Sequence, residues 1–106
     1  MGPTELSDRL DRVQLVDVRE SEEWRAGRIP GARWIPVGEL ADRLDELDPD
    51  QAVVTTCRAG GRGSTAAELL AERGFRAENL EGGVQGWADA GLTLRTPGEE
   101  EPGQVA

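Results

Sequence analysis

The 106-residue chain contains no histidine and no lysine, and it has a single cysteine, Cys57. Without histidine, the chain cannot form a Ser-His-Asp triad or a Cys-His nucleophile pair from its own residues. A zinc site built from cysteine and histidine is excluded as well, so we expect no bound metal. A lone cysteine cannot form an internal disulfide, which suits a reducing compartment such as the cytosol.

The charge balance and the lack of long apolar runs exclude further classes. Twelve basic residues, all of them arginine, stand against 21 acidic residues and give a net charge of −9. This charge should repel nucleic acids and anionic membrane surfaces. No apolar stretch is long enough to cross a membrane, and the opening MGPTELSDRL lacks the pattern of a secretory signal. We therefore expect a cytoplasmic protein that binds neither nucleic acid nor membrane.

Strand-like and helical patterns alternate along the chain. Apolar residues spaced three or four apart predict helices, and short apolar runs between turn residues predict strands. The predicted helices cover residues 4–13, 21–27, 39–47, 64–74 and part of 81–91, and the predicted strands cover 14–18, 32–36, 51–56 and 75–80. Ser21 is expected to cap the second helix, and Gly27 to end it. The alternation is typical of an α/β domain with a mostly parallel sheet.

A single domain of residues 1–96 accommodates all of these elements. The remaining residues 97–106, PGEEEPGQVA, are acidic, contain proline and glycine, and have almost no apolar side chains. We expect them to form a disordered tail, because they offer nothing to bury.

The single cysteine follows the most strand-like run of the chain, residues 51–56. The next residues, RAGGRGS, combine glycines with two positive charges, Arg58 and Arg62. Backbone N–H groups in such a loop, with the N-terminus of a helix starting near residue 63 or 64, favour a bound anion. The positive surroundings also favour the thiolate form of Cys57. A cysteine that only packs in the core would not explain these neighbours, so we interpret the segment as a nucleophile beside an anion site.

The residues alone leave two chemistries open: attack on a phosphate ester, and attack on sulfane sulfur to form a persulfide. Cysteine-dependent phosphatases have the pattern C-x5-R, whereas the spacing from Cys57 to Arg62 is C-x4-R. Gly63 stands where the phosphatase arginine would be. The shorter loop favours a smaller guest, such as the outer sulfur of a persulfide.

Three segments in order resemble a single-domain rhodanese, a sulfurtransferase. They are LVDVRESEEWRAGRIPGARWIP (15–36), VVTTCRAGGRGSTAAELLAERGF (53–75) and NLEGGVQGW (79–87). The resemblance extends from about Val13 to Gly91. It implies a three-layer α/β fold, in which a mostly parallel sheet of four or five strands has helices on both faces.

The resemblance also implies a role for each matching residue. Cys57 would carry the sulfur as a persulfide, without a cofactor or a metal. The loop that binds the substrate would comprise Arg58, Ala59, Gly60, Gly61, Arg62 and Gly63. Asp17 and Arg19 match a D-x-R motif and would support this loop. Gly82, Gly83 and Trp87 match a G-G-x-x-x-W motif, which we interpret as packing and backbone geometry.

The implied partners are a small anionic sulfur donor, such as thiosulfate, and a thiophilic acceptor, such as cyanide or a thiol. One alternative is a protein-to-protein sulfur-relay module that uses the same Cys57 chemistry. Another is a cysteine-dependent phosphatase or arsenate reductase on a related fold, against which the short loop argues.

The chain departs from the rhodanese pattern in three places. Gly63 stands where the family often has serine or alanine, and Arg28 stands where it often has histidine. The first short strand of the family is missing or nearly so, which leaves one edge of the sheet uncertain. We expect Trp24 and Trp34 to pack against the sheet rather than to form a platform for substrate.

Overall fold

The computed structural model of the protein describes residues 1–96, and the predicted acidic tail lies outside them. The helices are α1 (Pro3–Arg9), α2 (Ser21–Ala26), α3 (Gly61–Glu72) and α4 (Gly83–Asp89). The strands are β1 (Gln14–Asp17), β2 (Arg33–Trp34), β3 (Val53–Thr56) and β4 (Ala77–Asn79). Three 3-10 helices complete the description: Leu10–Arg12, Val37–Asp42 and Leu44–Glu46.

The four strands form one parallel sheet in the order β2-β1-β3-β4. In its register, Asp17 at the end of β1 lies between Trp34 of β2 and Thr56 of β3. The carboxyl ends of all strands therefore meet at one edge of the sheet, where parallel α/β folds place their sites. At the uncertain edge, the Met1 backbone bonds to the last residue of β4 and to a residue just beyond it: its N-terminus donates to Asn79 O (3.3 Å), and its carbonyl accepts from Glu81 N–H (2.9 Å).

The two faces of the sheet carry separate cores. Successive residues of a strand point to opposite faces, so Val53 and Val54 enter different cores. The core on the side of α3 comprises Val16, Val18, Ile35, Leu40, Leu47, Val53, Cys57, Ala66 and Leu70. The core on the side of α1 and α4 comprises Leu6, Leu15, Ile29, Val54, Leu80, Val84, Trp87 and Leu94. The predicted three-layer α/β architecture is confirmed.

The helix predicted over 39–47 is wrong, because the segment forms two 3-10 helices, Val37–Asp42 and Leu44–Glu46. Arg43 separates them with backbone angles that are neither helical nor extended (φ −123°, ψ 22°). The spacing of leucines 40, 44 and 47 fits 3.6 residues per turn, but the break at Arg43 sets the two 3-10 helices independently of each other. Leu40 and Leu47 are nevertheless buried, as the pattern requires.

The start of α2 also differs from the prediction. Glu20, rather than Ser21, occupies the N-cap position, and it forms a capping box with Glu23. Gly27 follows the helix directly, as expected. Within residues 1–96, none of the helices combines the length and the apolar character needed to cross a membrane.

Candidate active site

Cys57 lies at the carboxyl edge of the sheet, one residue beyond β3. Its side chain is only 1% exposed and packs in the core beneath α3. A cysteine that served only to fill the core would not need a polar partner, but the Gly60 N–H lies 3.1 Å from Sγ and donates to it. The sulfur therefore has a polar contact that favours negative charge on it.

The residues after Cys57 divide into a three-residue turn and a helical turn. Arg58 and Ala59 are exposed, and Gly60 adopts a φ of +125°, which favours glycine. The helix α3 begins at Gly61, earlier than the predicted residue 63 or 64, so Gly61, Arg62 and Gly63 belong to its first turn. N–H groups in a first turn have no partner within the helix and carry its positive dipole end. Helix α3 thus starts beside the sulfur, which strengthens the case for an anion site.

Arg62 does not stand as an isolated charge near the thiol. Its guanidinium forms two hydrogen bonds to Glu23 of α2: Nη1 to Oε1 (2.6 Å) and Nη2 to Oε2 (2.9 Å). These bonds hold the pKa of Glu23 below its ordinary value of 4.5, although burial opposes the shift. The same bonds raise the pKa of Arg62. The pair ties α2 to the first turn of α3.

Asp17 and Arg19 form a second ion pair, in which both side chains are fully buried. Arg19 Nε lies 2.9 Å from both carboxylate oxygens of Asp17, and Nη2 lies 2.8 Å from Oδ2. Arg19 Nη2 also donates to the Gly27 carbonyl (2.7 Å), directly after α2. The pair thus contacts the end of α2, and α2 carries the Glu23 that binds Arg62. Its link to the loop is indirect.

The N-terminus of α4 closes against the backbone of the cysteine loop. The Val84 N–H donates to the Cys57 carbonyl (2.8 Å), and the Gln85 N–H donates to the Arg58 carbonyl (2.9 Å). Gly83, with a φ of +61°, makes this approach possible. A Cβ there would lie within 2.4–2.8 Å of the Cys57 and Arg58 backbone. The G-G-x-x-x-W motif therefore fixes the loop as well as packing Trp87 in the core.

Comparison with known proteins decides the family. The chain matches the Rhodanese-like domain over residues 2–90. It belongs to the rhodanese-like domain family. YtwF of Bacillus subtilis (strain 168) is 39% identical over 77 residues, which are 73% of this chain and 75% of that protein. A sulfurtransferase of Allochromatium vinosum is 38% identical over 96 residues, which are 87% of this chain and 90% of that protein.

A solved rhodanese-related protein from Thermoplasma volcanium has the same fold. It superposes with a TM-score of 0.84 at 29% sequence identity, covering 89% of this chain and 94% of that one. The resemblance drawn from the three motif segments is therefore confirmed, together with the fold that it implies.

One departure from the rhodanese pattern now has a physical explanation. Gly63 is buried, and a Cβ at this position would lie 2.2 Å from Asn79 Oδ1. The space that a serine or alanine side chain would need is therefore occupied by an amide from the end of β4.

Arg28, the second departure, lies over the Trp24 ring with its guanidinium carbon 4.4 Å from the ring centroid. Trp24 in turn stacks on Trp34, with ring centroids 6.1 Å apart. Trp34 Nε1 donates to the Arg19 carbonyl (2.8 Å). Both tryptophans are half-buried, and Trp34 alone connects the stack to the residue that follows Val18 after β1.

Sequence reasoning missed two residues of this candidate site, Glu23 and Asn79. Glu23 is one of three acidic residues in the stretch ESEE, and nothing local marks it as the partner of Arg62. Asn79 stands 19 residues after Gly60, whose carbonyl it binds. Only the packing of α2 and β4 against α3 reveals either one.

Proposed function

We propose that this rhodanese-like protein is a sulfurtransferase, in which Cys57 accepts sulfane sulfur as a persulfide and passes it to a thiophilic acceptor. The observation that carries the proposal is the 3.1 Å contact between the Gly60 N–H and Cys57 Sγ. Because this contact lies at the N-terminus of α3, negative charge on the sulfur is stabilised there. The sulfurtransferase name of the Allochromatium vinosum relative supports the same chemistry.

The reaction is a double displacement that needs no outside oxidant. The Cys57 thiolate attacks the outer sulfur of thiosulfate, a bond forms between the two sulfurs, and the electron pair of the broken bond leaves with sulfite. Cyanide or a thiolate then attacks the outer sulfur of the persulfide, and Cys57 regains its thiolate. Both leaving groups are stable anions, so neither step needs a general acid or base. A chain without histidine can therefore perform it.

The loop from Arg58 to Gly63 supplies the binding groups. N–H groups of the loop and of the first turn of α3 would hold the outer sulfur, as donors hold charge in an oxyanion hole. Arg58, exposed beside Cys57, adds a positive charge that favours an anionic donor. Asp17 and Arg19 act further away, by fixing the end of α2.

The position of Arg62 supports sulfur transfer over phosphoryl transfer. Phosphate recognition by arginine uses both of its terminal nitrogens in a bidentate contact. In this protein both nitrogens bond to Glu23. A phosphate dianion would have to displace that carboxylate, whereas sulfur bound by backbone N–H groups would leave the pair intact.

The sulfur must finally go to another molecule, because Cys57 is the only thiol of the chain. If the acceptor is a small molecule such as cyanide, the protein acts as a thiosulfate sulfurtransferase. If the acceptor is a thiol of another protein, it acts as a sulfur-relay module. A cytosolic location suits both, because a reducing compartment keeps the thiol available.

Steady-state kinetics test the proposal. The wild-type protein with thiosulfate and cyanide should form thiocyanate, and Cys57→Ser should form none. Two further assays use glutathione persulfide as the sulfur donor and an aryl phosphate as a substrate for hydrolysis. Turnover of glutathione persulfide but not of thiosulfate would favour the relay role. Hydrolysis of the aryl phosphate without any sulfur transfer would refute the proposal.

A further inference from the structure

Asn79 ends β4, and its side chain reaches the cysteine loop from the neighbouring strand. Its Nδ2 donates to the Gly60 carbonyl at 3.0 Å. Because that partner is an acceptor, the amide nitrogen, rather than Oδ1, must face it. An aspartate in the same place would present an oxygen to the Gly60 oxygen and repel it.

The hydrogen bond from Asn79 holds the peptide unit between Gly60 and Gly61. The peptide unit before it, between Ala59 and Gly60, supplies the N–H that contacts the sulfur. The Gly60 carbonyl accepts from Asn79 and also from the Ser64 N–H (2.9 Å), the first hydrogen bond of α3. In a trans peptide the N–H points opposite to the carbonyl, so the Gly61 N–H points back out of the helix. The Gly60 N–H to Cys57 Sγ contact (3.1 Å) lies at that same end. By fixing the Gly60 carbonyl, Asn79 fixes the direction of the next N–H donor.

Helix α3 leaves room for the Asn79 side-chain amide only because residue 63 is glycine. A Cβ at Gly63 would lie 2.2 Å from Asn79 Oδ1 but at an ordinary 3.4 Å from Cys57 N. The Thr55 hydroxyl donates to the Gly63 carbonyl at 2.6 Å and also lies 3.4 Å from Asn79 Oδ1. Gly63 and Asn79 therefore depend on each other, and an alanine at 63 would force the amide away from Gly60.

We propose that Asn79 is a positioning residue for sulfur transfer, which orients the N–H groups at the start of α3 toward the sulfur on Cys57, and that Gly63 is kept side-chain-free to admit it. The proposal rests on the sulfurtransferase function. Asn79 contacts neither donor nor acceptor, so its effect falls on kcat rather than on KM.

The test compares Asn79→Ala, Asn79→Asp, Gly63→Ala and the double variant Gly63→Ala/Asn79→Ala in the thiosulfate assay. Loss of one directing hydrogen bond should lower kcat about tenfold in each single variant, with KM for thiosulfate little changed. The double variant should be no worse than either single one, because both changes remove the same bond. The helix preference of alanine offsets only part of the cost of displacing the amide in Gly63→Ala. The Tm of every variant is therefore measured, and kcat is compared at a temperature well below the lowest Tm, so that a loss of kcat is not a loss of folding.

Gln14→Ala is the matched control. The Gln14 amide is also partly buried and donates to loop carbonyls, Asp48 O (2.8 Å) and Gln51 O (3.1 Å), but it lies at the amino end of the sheet. It should change Tm and leave kcat unaltered.

Three results would overturn the inference while leaving the sulfurtransferase function in place. These are full kcat in Asn79→Asp, multiplicative losses in the double variant, and an equal loss of kcat in Gln14→Ala. A wild-type protein that transfers no sulfur from either thiosulfate or glutathione persulfide overturns the proposed function itself, and the inference with it.

Discussion

Replacement of Gly83 by alanine should be among the most damaging single-methyl changes in this protein. The new Cβ would lie 2.4 Å from the Cys57 carbonyl oxygen and 2.7 Å from that of Arg58. Both are backbone atoms, so no flexible side chain can move aside. The φ of +61° adds strain of its own for any residue with a Cβ.

The expected cost follows from three contributions. A left-handed backbone costs about 1–2 kcal/mol for a residue other than glycine. Overpacking against fixed atoms costs roughly 1–3 kcal/mol. Displacement of the loop also weakens the hydrogen bonds from Val84 and Gln85, each worth about 1 kcal/mol. We expect a loss of about 3–5 kcal/mol, a large share of the roughly 5–15 kcal/mol of a small domain.

Gly91→Ala provides the control, because Gly91 has a φ of +80° but no atom within 4 Å of its would-be Cβ. Its free energy of unfolding should fall by only about 1–2 kcal/mol, the cost of a left-handed backbone at a residue other than glycine. Urea unfolding followed by fluorescence of the three tryptophans measures both variants. Equal losses in the two variants would refute the argument that α4 closes tightly on the cysteine loop.

Three further predictions concern the ion pairs that surround the loop. Glu23→Gln should lower stability by about 1 kcal/mol, and by more than Glu39→Gln at an exposed pair with Arg43, as thermal melts would measure. Because the folded-state pKa of Glu23 is lowered, its contribution is present above its ordinary value of 4.5 and fades as the pH falls through the lower folded value. The stability gap between the wild type and Glu23→Gln should therefore narrow as the pH falls below 4.5, and a gap that stays constant or widens with falling pH would contradict this reading. Asp17→Asn should cost about 3–5 kcal/mol in urea titrations, because it leaves the buried Arg19 charge unpaired, and a cost below about 1 kcal/mol would show that the charge is accommodated otherwise.

The sequence suffices for the parts of this fold that are encoded locally. The run QAVVTT predicts β3 because a buried parallel strand has consecutive apolar residues, and Cys57 follows as the next residue. The glycines and arginines after it predict an anion site, which stays a prediction, and the structure adds the contact between the Gly60 N–H and the sulfur. These signals need only neighbouring residues.

The missed features depend on contacts between distant parts of the chain. Helix α3 begins at Gly61 although glycine disfavours helices, and within its first turn Gly63 packs closely against Asn79 of β4 and against Cys57. Arg62 finds Glu23 across 39 residues, and no local pattern marks either partner. The helix predicted over residues 39–47 forms two 3-10 helices instead. The sequence pattern shows that Leu40 and Leu47 are buried, but an α-helix and a pair of 3-10 helices can both bury them.

Intact mass spectrometry after incubation with thiosulfate tests the central claim most directly. The wild-type protein should gain the mass of one sulfur atom, lose it again on treatment with cyanide, and show no gain when Cys57 is replaced by serine. The absence of any gain in the wild type, or an equal gain in Cys57→Ser, would contradict the assignment of Cys57 as the sulfur carrier.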